Sequence, residues 1–511
     1  MTTTTTTTIS ARTLGPAAVA LCALLLAGCS HDFLDREPLG SYTFSNFWET
    51  PAQLEQALIP GYATVRGLYS GAVWQLGEYR SDNTTFTQNP DDNGAANLWD
   101  DDIFVSGANV NGADGLWNSC YGGISDMNLL LDNIDAVEFP SADEPRREVI
   151  RAEARFLRGM FYHLLTLNFG DVPLLLTPEF SEAELLAIRR APVDQVYEQA
   201  IVPDLTAAID GLPEAWPPAE VGRATSHAAR VALAKAHFAR RDYAAALPPL
   251  TDVIESERFE LLPDFRSVFA PDRSNNREII FAGQYDAGAG QGANFFFNWL
   301  PLGSGTEVSE GTVDAGVRAG INRPTRELYG AYDEDDPRRD ATIGVYLRGG
   351  DTILYPRKYI FPPIDGGSDL DIVIFRYGDV LLMYAEALLE SSSGDVPDEA
   401  FNAVNAIRAR AGLPLAFPFN PDPELDLRTP EDFRRFLRSE RRRELAIESS
   451  RWYDLVRYGT VVEAMQAHGE RLAEYQPYVR DFPGAFQTIP ELFPIPLQQV
   501  LQYGYRQNPG Y

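Results

Sequence analysis

A mostly α-helical fold, with paired helices supporting a loop-rich face, is what this sequence predicts. Two observations lead there. Apolar residues recur at i, i+3, i+4 and i+7 in stretches that come in pairs, each pair joined by a short turn. Between the helical stretches lie two long segments, near 70–118 and 283–325, rich in Gly, Asn, Asp, Ser and aromatics and poor in helical period. Long irregular segments in a helical chain are usually functional loops.

The N-terminus reads as an address. In residues 1–28 Arg12 is the single charge, Ala17 to Ala27 form an apolar run, and small residues close it, as in a secretory signal. The run is too short to span a bilayer, which needs about 20 apolar residues. Leu26-Ala27-Gly28-Cys29 resembles the lipobox of bacterial lipoproteins, which implies acylation of the Cys29 thiol and cleavage before it. The run Thr2–Thr8 is unusual for the start of such a signal. Residues 29–511 are expected to form one domain hanging from a membrane by its lipid.

The helices follow in order. One runs from about Arg151 to Asn168 with Phe156, Met160, Leu164 and Leu167 inward; Gly170 stops it and Asp171-Val172-Pro173 forbids continuation. Ala229, Ala232, Leu233 and Ala236 form the apolar stripe of the next, and small side chains there admit a close neighbour. After a turn at Arg240–Asp242, Tyr243, Ala246, Leu247, Leu250 and Ile254 repeat the pattern, so the pair looks like a tetratricopeptide unit. A second pair places Tyr377, Leu381, Tyr384, Ala385 and Leu388 on one face, turns through Ser391–Pro397, and returns with Ala400, Val404, Ile407 and Ala411. Gly412 sits where a C-terminal cap belongs. Thr429 and Pro430, with Glu431 and Asp432, mark the start of another helix. A strict repeat of about 34 residues is absent, so the scaffold is not a plain solenoid.

Composition removes several function classes. The 511 residues carry 73 acidic and 43 basic side chains, a net charge of −30, which repels phosphate backbones and argues against a nucleic-acid partner. Lys235 and Lys358 are the only lysines, the other 41 basic residues being arginine. Cys22 and Cys29 lie in or at the end of the leader, and Cys120 stands alone, so no internal disulfide is expected. The five histidines are scattered without helical ligand spacing, and no metal site or cofactor is expected. Acidic clusters at Asp91-Asp92, Asp333–Asp336 and Asp369/Asp371 have the oxygen chemistry for calcium. None has EF-hand spacing, and solvation is the preferred reading.

No catalytic set emerges. Glu440, Glu444 and Glu448 share one helix face beside Arg441–Arg443, whereas a hydrolase needs two carboxylates facing across a cleft. Pairing of Glu with Arg inside the scaffold explains that stripe, and Glu386, better than catalysis. There is no Gly-x-Ser-x-Gly elbow and no Gly-Lys phosphate cradle. The aromatic loops offer more, because sugars present apolar C–H faces to flat rings and hydroxyls to Asp, Asn and Arg. The first segment supplies Trp74, Arg80, Asp82, Asn83, Phe86 and Trp99. The second supplies Tyr285, Asn294, Phe295, Phe297 and Trp299, with Phe295–Phe297 also readable as a buried strand. If these rings contact ligand, replacing Trp99 or Trp299 by Ala weakens binding at a nearly unchanged melting temperature.

Several motifs, in order, carry a family resemblance. They are Asp32-Phe33-Leu34-Asp35 with Pro38 and Phe47-Trp48; Trp117 with Tyr121, Ile124 and Asn128; and Ala152-Glu153-Ala154-Arg155-Phe156-Leu157-Arg158 leading to Phe169-Gly170-Asp171-Val172-Pro173. Asp336-Pro337-Arg338, Arg376-Tyr377-Gly378-Asp379, Glu440-Arg441-Arg442-Arg443-Glu444-Leu445, Arg451-Trp452-Tyr453-Asp454, Phe493-Pro494-Ile495-Pro496 and Asn508-Pro509-Gly510-Tyr511 continue it. Together they resemble SusD/RagB lipoproteins over essentially all of residues 29–511. Two departures are Gly378, where alanine is commoner, and Leu497–Arg506, which lacks the usual Glu and Asn. The resemblance implies tetratricopeptide-like pairs under a variable loop face, an outer-membrane location facing outward, and a SusC-like TonB-dependent barrel as partner. It implies a nutrient ligand, commonly a glycan. Within the ligand set it makes Asp82, in a family-like Ser-Asp element, the firmest position. A helical protein–protein adaptor and a surface glycosidase are the competing readings.

Overall fold

Among the described residues, helices of eight residues or more build the frame. They are α1 (Pro51–Tyr69), α2 (Ala113–Asn133), α3 (Glu144–Phe169), α4 (Val202–Gly211), α5 (Ser226–Ala239), α6 (Tyr243–Glu255), α7 (Tyr377–Ser391), α8 (Asp398–Arg410), α9 (Pro430–Glu444), α10 (Arg451–Tyr458) and α11 (Val461–Tyr475). The computed structural model describes residues 47–86, 96–178, 181–301, 303–311, 320–362 and 368–511. The signal, Cys29, Asp32–Asp35, Pro38, Asp91 and Asp92 lie outside the described residues.

From α1 to α8 each helix packs on the next in chain order, so the frame is a file of helices. Local chemistry explains the joints. Ala228, Ala229, Ala232 and Ala236 on α5 are fully or almost fully buried, and a side chain of one carbon lets the neighbouring helices close in. Thr225 caps α5 by accepting from the Ala228 N–H, and Asp242 caps α6 from Ala245, which fixes the three-residue turn between them. The second pair, α7 and α8, ends at Gly412, whose φ of 71° is the left-handed value that spares a glycine the Cβ clash. Thr429 accepts from the Asp432 N–H at the start of α9.

The structure extends α3 seven residues before the expected Arg151, because Pro145 suits the first turn and Arg146 and Arg147 make ion pairs there. Phe156, Met160 and Leu164 are buried as expected, but Leu167 is only half-buried. The irregular segments also divide. Ala72–Gly77 and Ala96–Asp102 are short helices, and α2 begins at Ala113, inside the stretch expected to lack helix. Phe295–Phe297 is not a strand but the approach to a tight turn at Phe297–Trp299.

Short antiparallel pairings tie distant segments together. β1 (Thr84–Thr85) pairs with β3 (Arg323–Pro324), joining the two irregular segments. β2 (Ile279–Gly283) pairs with β6 (Ile372–Arg376), which runs straight into α7. β4 (Ile343–Arg348) and β5 (Asp351–Pro356) form a hairpin turned by Gly349 and Gly350.

Beneath the strands lies a charged core. Arg338, fully buried, reaches Asp336 at 2.7 Å, Glu440 at 2.7 Å and Glu444 at 3.1 Å. Arg376 reaches Glu444 at 2.7 Å, Glu448 at 2.7 Å and Glu278 at 3.0 Å, and Arg410 reaches Glu444 at 2.6 Å. Lys358 pairs with Glu448 at 2.7 Å, and Arg408 with Glu440 at 3.1 Å. Burial pulls the Glu444 carboxyl up, but Arg410, Arg376 and Arg338 outweigh it and hold it well below the usual carboxylate range. The expected pairing of the glutamate stripe with arginine is therefore present, though most partners come from other elements rather than from Arg441–Arg443.

This network explains Gly378. A Cβ there would run into the Arg376 guanidinium and sit 3.0 Å from Glu444 Oε1. Gly378→Ala is therefore expected to lower stability by about 1–3 kcal/mol, although alanine is the better helix former by about 1 kcal/mol. Equilibrium denaturation checks this; a more stable variant would show that Arg376 has room to move.

Candidate ligand-binding face

The segment after β2 forms a stiffened loop. The Tyr285 N–H donates to Asp371 Oδ1 at 2.8 Å, and the Ala287 N–H to Asp369 Oδ1 at 2.8 Å. Asp286 and Gln291 exchange two backbone hydrogen bonds, and the Ala293 N–H donates to the Ser368 carbonyl. The Asp369/Asp371 pair thus holds the loop through backbone donors, and burial pushes the Asp371 carboxyl up to about 6. Among the described residues no group of three His, Cys, Asp or Glu side chains could hold a metal ion.

A column of rings supports this loop from below. Trp74 and Trp299, each 2% exposed, lie 4.6 Å apart. Tyr359 contacts both, at 5.7 and 6.0 Å. The Trp299 indole N–H donates to the Tyr79 hydroxyl at 3.2 Å. Phe295 packs on Trp299 at 5.8 Å and Tyr285 on Phe295 at 5.8 Å, carrying the column outward to half-buried rings. The Arg66 guanidinium of α1 covers one side of Tyr285 at 4.9 Å and donates to the Gln284 carbonyl at 2.9 Å. Phe297 is half-buried and Asn294 is exposed. Rings that reach solvent beside amide and guanidinium groups suit a sugar, with stacking on the faces and hydrogen bonds at the rim.

The other candidate residues lie elsewhere. Arg80 is 2% exposed, with its guanidinium between the rings of Phe104 at 4.6 Å, Phe493 at 4.8 Å and Trp452 at 5.2 Å. Asp82 takes a bidentate pair from Arg451, at 2.7 and 2.9 Å, and a further contact from Arg442. Burial raises its carboxyl, yet Arg442 and Arg451 hold it well below the ordinary range. Asn83 accepts from Arg442 and donates to Glu78. Phe86 packs on Tyr79, and Trp99 on Phe482 and Tyr478. Trp74, Arg80, Asp82, Asn83, Phe86, Trp99 and Trp299, expected on the ligand face, are therefore interior groups. Most of them found rings or ions from elements far away in sequence, whereas Phe86 packs on Tyr79 of its own segment. Tyr285, Asn294 and Phe297 share the outer loop. Sequence reasoning missed Arg66, which sits on an ordinary helix face and carries no local signal.

Glu78 fastens the first segment to the frame. Its carboxylate accepts from Asn83 Nδ2 at 3.2 Å and from the Ile447 and Ser449 N–H groups at 3.1 and 2.9 Å. Burial pushes its carboxyl up to about 7 against the pull of those donors. A folded pKa above the unfolded one, near 4.5, contributes stability at low pH that is lost as pH rises through 7. Wild type should accordingly gain stability on Glu78→Gln as pH falls from about 8 to 5. Urea midpoints of both proteins across that range check it; a gap that widens the other way contradicts it.

Residues 351–511 match a family described as the SusD family, and residues 32–238 one described as starch-binding, associating with outer membrane. SusD-like protein P2 of Formosa agariphila is 27% identical over 96% of this chain and 98% of its own length. A SusD-like protein of Bacteroides ovatus is 27% identical over 86% of this chain and 81% of its own. Among solved structures, a laminarin-binding SusD-like protein superposes with a TM-score of 0.74 at 25% identity, over 91% of this chain and 100% of that one. A SusD homologue of Bacteroides thetaiotaomicron shares the fold, with a TM-score of 0.73 at 23% identity over 92% and 99% of the two chains.

Proposed function

Because the chain belongs to the SusD/RagB family, we propose that it is a surface lipoprotein of the outer membrane that grips a glycan and hands it to a SusC-like TonB-dependent barrel, without chemistry of its own. The observation that carries this reading is the outer loop, where Tyr285, Phe295 and Phe297 reach solvent beside Asn294 and Arg66. The laminarin-binding relative makes a β-glucan the first ligand to try. The buried glutamates argue for binding over catalysis: Glu386, Glu440, Glu444 and Glu448 all spend their oxygens on Arg or Lys. The anchor rests on the Leu26–Cys29 element of the sequence.

Calorimetric titration of the chain from residue 30 onward, against polysaccharides, oligosaccharides and peptides with product analysis, tests the reading. Saturable heat with a glycan and no released sugar is expected. Tyr285→Ala or Phe297→Ala should weaken it by about 1–2 kcal/mol, or about 5–30-fold, at a nearly unchanged melting temperature. Released sugar would favour a glycosidase, and binding to the barrel alone an adaptor. In cells, Cys29→Ala should leave the precursor uncleaved and unlipidated; normal maturation would remove the anchor.

A further inference from the structure

A cavity of about 170 Å³ lies inside the helical frame, between α3, α5, β6, α7 and α10, and shares no lining residue with the outer loop. For scale, a dry cavity of about 150 Å³ holds benzene. Its walls are mainly apolar, among them Met160, Leu164, Phe238, Phe375 and Met383. Leu167, Ala239 and Lys235, which also line it, are only half-buried and mark the mouth. That accounts for Leu167, the one residue of the α3 stripe left out of the core.

The polar part of the lining is already balanced in charge. Lys235 pairs with Asp379 at 2.5 Å, Asp379 with Arg441 at 2.6 Å, Arg441 with Asp454 at 2.8 Å, and Arg457 with Asp454 at 3.0 Å and with Glu386. With Glu386, which is outside the lining, three cations face three anions. Arg376 and Glu448 pair with each other. His163 is held neutral, since burial and Lys235 push it down to about 3.

Two polar groups remain underused. The Lys235 ammonium, with three protons to donate, hydrogen-bonds only to Asp379 among the described residues and otherwise lies over the Phe375 ring at 5.7 Å. Ser449, 8% exposed, has a buried hydroxyl with no hydrogen-bond partner. The backbone that presents Ser449 is strained, with φ of 62° at Ile447 and 59° at Ser449, a region a β-branched residue avoids. Such strain persists only where the surroundings impose it, and the Glu78 carboxylate does so by taking both N–H groups.

We propose that this cavity is a second ligand site, taking a small neutral molecule with a ring-sized apolar body and an oxygen that accepts from Lys235 or Ser449. An alcohol or ketone about the size of benzyl alcohol has that chemistry. A carboxylate does not, because it would add an unbalanced charge to a compensated cluster.

Saturation-transfer NMR and thermal shifts on the chain from residue 30 onward, with benzyl alcohol, benzoate and benzene as probes, test it. Benzyl alcohol should bind saturably and raise the melting temperature with concentration, and benzoate should bind at least about tenfold more weakly. Ala239→Trp, which fills the mouth from a half-exposed position, should abolish the benzyl alcohol signal while leaving glycan titration intact. Lys235→Met should weaken benzyl alcohol about tenfold and leave benzene unchanged. The proposal is overturned if no probe binds the unaltered protein, or if Ala239→Trp binds benzyl alcohol as well. Because glycan is titrated in parallel on the same variant, failure here is separable from failure of the capture reading.

Discussion

Glu444→Gln should cost about 3–5 kcal/mol of stability, the largest loss expected from a single isosteric change in this protein. The carboxylate is fully buried and faces three guanidinium groups, Arg338 at 3.1 Å, Arg376 at 2.7 Å and Arg410 at 2.6 Å. A neutral amide leaves those cations short of a counter-charge in a site where water cannot replace it, and turns N–H donors toward donors. Glu431→Gln on the same helix serves as the control. Glu431 is 63% exposed and pairs with Arg434 one turn away, so its loss should cost no more than about 0.5 kcal/mol. Equilibrium unfolding in urea measures both; equal, small effects would show that the network relaxes or admits water.

Trp299→Ala should be nearly as damaging, at about 3–5 kcal/mol. Its indole is 2% exposed, packs on Trp74 at 4.6 Å, and donates to Tyr79 at 3.2 Å, so truncation opens a void and strands a hydroxyl partner. The sequence alone led to the opposite expectation, a loss of binding at constant melting temperature. The structure moves Trp299 from ligand contact to support. Binding should still fall, because Phe295 and through it Tyr285 rest on that ring. Tyr285→Ala separates the roles, since it removes the outer ring and leaves the core filled.

These two residues show where sequence reasoning held and where it failed. Periodicity and caps are local, so the α5–α6 and α7–α8 pairs, the Gly412 cap and the Thr429 start are legible in the order of residues itself. The Glu440–Glu444–Glu448 stripe is legible as ionic scaffold because its spacing puts all three on one side of a helix. Its partners are not, since Arg338, Arg376 and Arg410 arrive from elements that no local pattern connects. The same limit governs the ligand face. Asp82 and Arg80 have the chemistry of sugar contacts, and only the arrival of Arg451, Arg442 and three aromatic rings shows that their valences are filled. Tyr285 and Phe297 look no different from Trp99 in sequence; what separates them is that Trp99 is buried against Phe482 and Tyr478, while Tyr285 and Phe297 stay half-buried on the loop.

Hydrogen exchange of the protein with and without the glycan that titrates most tightly addresses the central claim most directly. Added protection should appear in 284–299 and in 368–371, the loop and the carboxylates that brace it, while α5 to α8 stay unchanged. Protection that instead falls within the helical file, with none at Tyr285 to Trp299, would contradict capture by this face.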